Sequence, residues 1–328
     1  MNEVAVKTIK RSFAYFIGLI FLLSIPLIVK SAYFHHLLIM IGLAALLGMS
    51  NRLIINSGAW FMGMAAFYAI GAYGLVLLRE KVGMDYWSAV PVIGLITAAI
   101  ALGLGYATSR VRGIPFAIIS VAFAEVIRLT IIKTPFLGGH KAWVCPPPEP
   151  IFGITLSSKI GIYYLILVLC VIVGFLFHRL EKSPTGNALM TMAENEELAE
   201  SIGINTTRYK VVVLMVGALV ASLTGTLFAS YIGIIGPTSF SLMTSVIILM
   251  TIVIGGMANI WGPIIGAAFV TLLPEILPGQ AADQNIAYAT IVLLTLFWLR
   301  EGLISLPKQL KTYFEGRAAH KPASISGR

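Results

Sequence analysis

The chain has 328 residues, 58% of them hydrophobic and only 11% charged, with a net charge of +9 and a mean hydropathy of +0.91. A soluble domain carries about a quarter charged residues, and no core of this size hides so much apolar surface, so lipid is the solvent for much of the chain. Nucleic acid is excluded as the reason for the positive charge, because Lys and Arg sit at the ends of apolar segments, where orientation in a bilayer is set.

A helix crosses the hydrocarbon core in about 20 mostly apolar residues. Ten segments fit: 12–29, 35–50, 57–78, 88–108, 114–133, 160–178, 210–232, 240–257, 262–278 and 285–303, the second and eighth being short. The fold class expected is all-α integral membrane, about ten spans. Lys7, Lys10 and Arg11 precede the first apolar run, and Lys30 interrupts it with no small-x-small cleavage pattern, which reads as an uncleaved helix. With the N-terminus inside, sixteen of the 23 Lys and Arg fall inside, six outside, and Arg128 lies within a span. That bias places both termini in the cytoplasm of a multi-pass inner-membrane protein. Residues 1–305 form one permease domain, and the basic tail 306–328 is expected to be disordered.

The third segment is rich in small residues, Gly58, Ala59, Gly63, Ala66, Gly71 and Gly74, which let membrane helices approach closely. Asn51, Arg52 and Asn56 stand just before it. Two readings fit: a tightly packed helix with a polar cytoplasmic end, or a broken helix beside a substrate pathway. Pro115 suits the first turn of the fifth span. That span carries Glu125 and Arg128 at i, i+3, close enough to pair. The pair is either structural or functional, and in both cases its face should turn away from lipid.

Loop 134–159 holds Pro146, Pro147, Pro148 and Pro150 and reads as extended and stiff, shaping the outer mouth or touching an external partner. His140 stands alone and reads as a surface histidine. Cys145 and Cys170 lack metal or redox spacing and read as unpaired small hydrophobes. Gly255, Gly256, Gly262 and Pro263 break the chain between the eighth and ninth spans. Trp261 suits an interface, and Glu275 lies near the outer end of the ninth span.

Between the sixth and seventh spans lies the longest polar run, Glu181 to Lys210. Asn187 to Ile202 reads as one helix, started at Ser183 or Thr185 with Pro184 and stopped by Gly203 at C′. Leu189, Met192, Ala199 and Ile202 share one face, with Glu194, Glu197 and Glu200 largely off it. An acidic helix of this kind suits a partner's groove better than a lipid surface. The chain has no Gly-Lys dipeptide, hence no Gly-x4-Gly-Lys phosphate loop for ATP. No catalytic set and no metal cluster stand out.

Glu197-Leu198-Ala199-Glu200-Ser201-Ile202-Gly203 resembles the EAA-x3-G coupling loop of ABC importer permeases, with Leu for the first Ala. The run around it, together with Ala65–Tyr73, Arg112–Ala117 followed by Ala122-Phe123-x-Glu125-x-x-Arg128, and Ile254–Ala267, is similar to branched-chain amino acid permeases of the LivM type in the LivM/LivH family. The resemblance spans about residues 50–305.

It implies a membrane subunit of an ABC importer for branched-chain or other hydrophobic amino acids. An external binding protein would deliver substrate, a second homologous permease subunit would complete the path, and two cytoplasmic ATPases carrying ATP and magnesium would drive it. This chain would bind no cofactor. Coupling would fall to Glu194, Asn195, Glu196, Glu197, Ala199 and Gly203, with Ala199 keeping the helix low for close approach. The substrate path would be lined by Trp60, Met64, Phe67, Ser120, Phe123, Glu125 and Arg128. Two departures stand out. Where the family reads GQLSLGH, this chain has Ala59, Phe61 and Met64 for Gln, Ser and His, and in the coupling run the family's arginines become Asn187, Met190 and Ala193. Related members carry urea, short amides or aromatic acids. A rival from another class is an ion-coupled secondary transporter using Glu125.

Overall fold

A computed structural model describes residues 23, 24, 26, 31–139, 141–150, 158–257, 259–276, 290 and 302–305. Nearly all of the first and of the tenth expected spans, His140 and the tail lie outside them.

Ten α-helices occur among the described residues: α1 (Ala32–Ile55), α2 (Met64–Val82), α3 (Tyr86–Thr108), α4 (Ile114–Lys133), α5 (Lys159–Glu181), α6 (Pro184–Glu194), α7 (Glu196–Ser201), α8 (Thr206–Ile232), α9 (Leu242–Gly255) and α10 (Gly262–Ile276). Of these, α1, α3, α4, α5 and α8 are long and apolar enough to cross a membrane, and α9 and α10 are shorter apolar helices. The second segment, expected to be short, is a helix of 24 residues. The eighth stays short at 14 residues, entered through a 3-10 turn at Pro237–Phe240.

Helices α1, α2 and α8 form the centre. α3 and α4 pack on the α2/α8 side, while α5, α9 and α10 pack around α1. Lipid supplies no hydrophobic drive between helices, so close approach decides which pairs form. At the α2–α8 crossing, a Cβ on Gly71 would collide with the Ser222 carbonyl, and one on Gly225 with the Tyr68 carbonyl. Gly217 gives α8 the same access to Ser50 and Ile54 on α1.

The segment expected as one helix over 57–78 starts its helix only at Met64. Residues 56–63 link α1 to α2 as irregular backbone, with Gly58 at φ 80°. Such backbone survives at membrane depth only when neighbours satisfy it. Ser120 on α4 does so for Met62, whose N–H donates to its Oγ at 2.9 Å, and Ser245 on α9 takes the Ala65 N–H in the first turn of α2 at 3.2 Å. The segment therefore shows neither a single helix over 57–78 nor a helix interrupted within it: it is irregular to Gly63 and helical from Met64. Asn51 and Arg52 do not form a polar end. They lie inside α1, 0% and 4% exposed. Arg52 pairs with Glu181 at the end of α5 and donates to the Met257 carbonyl at 2.8 Å, which buries the charge with its partners.

At the far end of the bundle from α6 and α7, the described part of the proline loop is fastened. Trp143–Val144 (β1) pairs antiparallel with Ile234–Ile235 (β2). Glu149 pairs with Arg79 and accepts from the Tyr86 N–H, and Arg79 donates to the Pro146 and Pro147 carbonyls. Cys145 and Cys170 are free, and burial pushes the Cys145 thiol pKa up. Trp261 is partly exposed, and Glu275 accepts a hydrogen bond from the Tyr33 hydroxyl.

The α2–α8 crossing sets the stability. Gly71→Leu should destabilise the protein by about 3 kcal/mol, since backbone rather than a side-chain tip must yield. Gly103→Ala, which meets nothing within 4 Å, should leave stability unchanged. Thermal unfolding of both variants in the same detergent checks this.

Candidate functional site

The polar run after α5 folds as two short helices, not one. Ser183 is the N-cap of α6 with Pro184 in its first turn. Asn195 then leaves helical geometry at φ −154°, ψ 108°, ending α6 and capping α7 by accepting from the Leu198 N–H at 3.1 Å. Asparagine offers the backbone this alternative to a continued helix, which periodicity over 187–202 did not reveal. Past Ser201, Gly203 N–H bonds the Glu200 carbonyl and Ile204 N–H the Ala199 carbonyl, both at 3.0 Å. This is a Schellman stop with Gly203 at φ 88°. Asn205 caps α8 through the Arg208 N–H.

The break rotates α7 relative to α6 and changes which residues face out. Leu189, Met192 and Ala199 are buried as one face requires, but Ile202 turns outward. Ala199 is 0% exposed and packs on its own bundle. The outward surface is instead Met190, Leu198 and Ile202, 63%, 56% and 64% exposed, beside Glu197 at 86%. Glu194, Asn195 and Gly203 are also exposed, whereas Glu196 is turned inward.

Ion pairs seat the segment. Lys210 at the start of α8 holds Glu196 at 2.6 Å. Arg112, in the turn between α3 and α4, reaches Glu196 at 3.2 Å, Glu197 at 3.5 Å and Glu200 at 3.2 Å. The Thr206 hydroxyl donates to Glu200 at 2.7 Å and, with Arg112 adding, holds that carboxyl below the usual carboxylate range. Glu200 is therefore charged at neutral pH, and its pairing is lost only as pH falls through that lowered pKa. Behind the ion pairs lies a cavity of about 170 Å3, walled by Ile54, Ala59, Phe116 and Leu214 and bordered by Arg112 and Lys210. In the sequence Arg112 stands out only as the first residue of the block Arg112–Ala117. Its partners lie 84 to 88 positions away, and no local spacing signals them.

The expected path residues separate into two groups. Met64, Phe67, Ser120 and Phe123 meet where α2 faces α4. Phe67 stacks on Phe61 at 5.7 Å between ring centroids and tilts against Phe123 at 5.5 Å. Met64 and Phe67 are fully buried. Ala59, Phe61 and Met64, the three departures from the family's polar residues, sit in this packed region. Trp60, by contrast, is exposed. Glu125 and Arg128 pair, with Arg128 Nε 2.9 Å from Glu125 Oε2. Their side chains are 39% and 25% exposed in the single chain, so this face is not covered by the chain itself.

A chain of buried glycine crossings, an irregular link between α1 and α2 and two short helices seated by ion pairs can now be set beside known proteins. Residues 33–299 match the family model described as branched-chain amino acid transport system, permease component. The chain belongs to that family. It is 28% identical to the high-affinity branched-chain amino acid transport system permease protein LivM of Salmonella typhimurium, over 81% of this chain and 69% of that one. It is 22% identical to the LivH permease protein of the corresponding system in Escherichia coli, over 74% and 84%. It is also 24% identical to the autoinducer 2 import system permease protein LsrC of Shigella flexneri, over 74% and 69%. No solved structure matches. The protein is a multi-pass membrane permease.

The Asn195 cap is what divides the segment. Asn195→Ala should cost α7 about 1 kcal/mol. Amide hydrogen exchange should then speed up by about fivefold over residues 196–203 and remain unchanged in α8, as followed by mass spectrometry in detergent.

Proposed function

We propose that this permease is the membrane-spanning subunit of an ABC importer for branched-chain or other hydrophobic amino acids, with α6–α7 the dock for a separate ATPase. One observation carries the dock. Two short helices stand off the spans, fixed to the bundle on one side, and present three large apolar side chains and a carboxylate on the other. An exposed apolar patch of this kind at the end of a polar segment marks an interaction site. The partner surface it fits is an apolar groove with a basic rim.

Met190, Glu194, Asn195, Glu197, Leu198, Ile202 and Gly203 would make or shape the contact. Glu196 and Ala199 would hold the segment rigid against the bundle, so that a push on α7 moves the spans rather than folding the loop. ATP and magnesium would belong to the ATPases. LivM and LivH relatives support pairing with a second homologous subunit, and delivery by an external binding protein completes the importer. The full count is ten spans with both termini in the cytoplasm of the inner membrane. The class of substrate rests on the family and on the apolar character of Ala59, Phe61, Met64 and Phe67.

The ion-coupled alternative needs Glu125 to exchange its partner for a proton or cation. Its carboxylate is forked to Arg128, an arrangement that holds the charge in place.

Leu198→Glu combined with Ile202→Glu should lower co-purification of the ATPase from mild detergent by about 30-fold, as loss of an interface hot spot does. Expression and thermal stability of the permease should stay at wild-type values. Co-purification equal to wild type would overturn the dock. Uptake that stops when the proton gradient is collapsed with ATP intact would overturn the ATP-driven reading itself.

A further inference from the structure

We infer that Arg112 is the strap through which the α6–α7 segment moves α4, and that it transmits the ATPase stroke without being part of the dock. The inference rests on the importer reading and goes past it to a positioning residue.

α4 is the loosest of the long helices. Its buried residues are Phe116, Ser120, Ala124 and Ile131, a single line along one edge, while Ile118, Val126 and Leu129 are exposed. A helix held along one edge can move as a rod without dismantling the core. Its N-terminal connection suits such movement. Gly113 has φ 63° and ψ −137°, a backbone state that strains any residue with a Cβ. An added Cβ there would meet nothing within 4 Å, so the joint stands in open space. Pro115 stiffens the first turn immediately beyond it.

Arg112 sits directly before this joint. One guanidinium engages three carboxylates, Glu196, Glu197 and Glu200, which together span most of α7. A planar fork with five donors holds such a set in a fixed orientation, which a lysine ammonium does not. A second line of contact runs in parallel. Gly58 is so close to α6 that its Cβ would lie 3.1 Å from Ala193 Cα, and the same irregular stretch bonds Ser120 on α4 through Met62. Displacement of α6–α7 therefore reaches α4 at its N-terminal joint through Arg112 and at its second turn through residues 58–62. Glu125 lies eleven residues into α4, about 16 Å along its axis, which carries the motion to the Glu125–Arg128 pair at mid-span.

The strap and the dock use largely different side chains. Arg112 engages α7 through Glu196, 15% exposed, and Glu200, and shares only Glu197 with the dock, whose apolar contacts are Met190, Leu198 and Ile202. Loss of its charge should therefore uncouple transport from hydrolysis without removing the ATPase.

The test uses the complete complex co-purified with the wild-type chain and reconstituted in liposomes, with labelled leucine as the probe. In Arg112→Ala, ATPase co-purification and ATP hydrolysis should stay within about twofold of wild type, and uptake should fall by more than about tenfold, within the 5–150-fold range of site-to-site coupling. Arg112→Lys should recover part of the uptake. Gly113→Ala, which keeps every Arg112 ion pair but strains the joint, should give the same pattern. A second measurement does not depend on substrate or uptake. Spin labels at Val126 on α4 and Val168 on α5, in a Cys145→Ala/Cys170→Ala chain, should change separation on adding a non-hydrolysable ATP analogue with magnesium, and Arg112→Ala should abolish that change. Uptake and label motion unaltered in Arg112→Ala would overturn the strap, as would loss of the ATPase together with uptake, which would make Arg112 part of the dock. A wild-type chain that retains no ATPase overturns the importer reading, and the strap falls with it.

Discussion

The backbones of α2 and α8 touch, and the rest of the structure depends on that contact. In lipid, two apolar helices gain little by meeting unless they meet closely. Gly71 and Gly225 remove the side chains that would hold them apart, and the Ser222 and Tyr68 carbonyls fill the space. With α8 fixed against α2 and α1, its first turn becomes a fixed post at one end of the bundle. Lys210 stands on that post. Only Ile202 to Asn205 separate it from α7, which sets where the short helix rests. Glu196 reaches Lys210, and the other carboxylates then face Arg112.

The same solvent explains why polar groups inside the spans have partners from distant parts of the chain. Arg52 is neutralised by Glu181, and that pair ties the end of α1 to the end of α5 and to the turn after α9. The irregular stretch 56–63 is acceptable because Ser120 and Ser245 bond its neighbouring N–H groups. Asn51 and Tyr73 are the exceptions. The Asn51 amide and the Tyr73 hydroxyl are buried with no hydrogen-bond partner among the described residues, a costly state for polar groups away from water. The result is a rigid centre of α1, α2 and α8, with α4 held along one edge. Such a division suits a transporter, where one element must shift while the rest resists.

Much of this was legible in the chain. Apolar runs gave the spans that are described, small residues marked the third as unusual, and Ser183, Pro184, Gly203 and Asn205 marked the limits of the polar segment. Those signals are local, carried by side-chain type within a turn or two. The division at Asn195 was missed because an asparagine inside an amphipathic pattern is compatible with both a helix and a cap. Its consequence was large: Ile202 moved to the outer face, while Ala199 remained buried among its own neighbours. Glu125 and Arg128 were readable as a pair from their i, i+3 spacing. That spacing says nothing about which side of α4 the bundle would cover.

By itself the sequence determined that the chain lives in lipid, where most of its helices run and where the polar segment interrupts them. Composition and hydropathy suffice for that, because the cost of exposing apolar surface or unpaired backbone is paid residue by residue. Only the tertiary structure decided that Arg52 belongs to Glu181, that Arg112 gathers three carboxylates from α7, and which face of α6–α7 looks outward. Ion pairing acts over a few ångströms in space and is indifferent to separation along the chain. Partners 80 to 130 positions apart therefore leave no trace in spacing, and they meet only once the glycine crossings have fixed the helices.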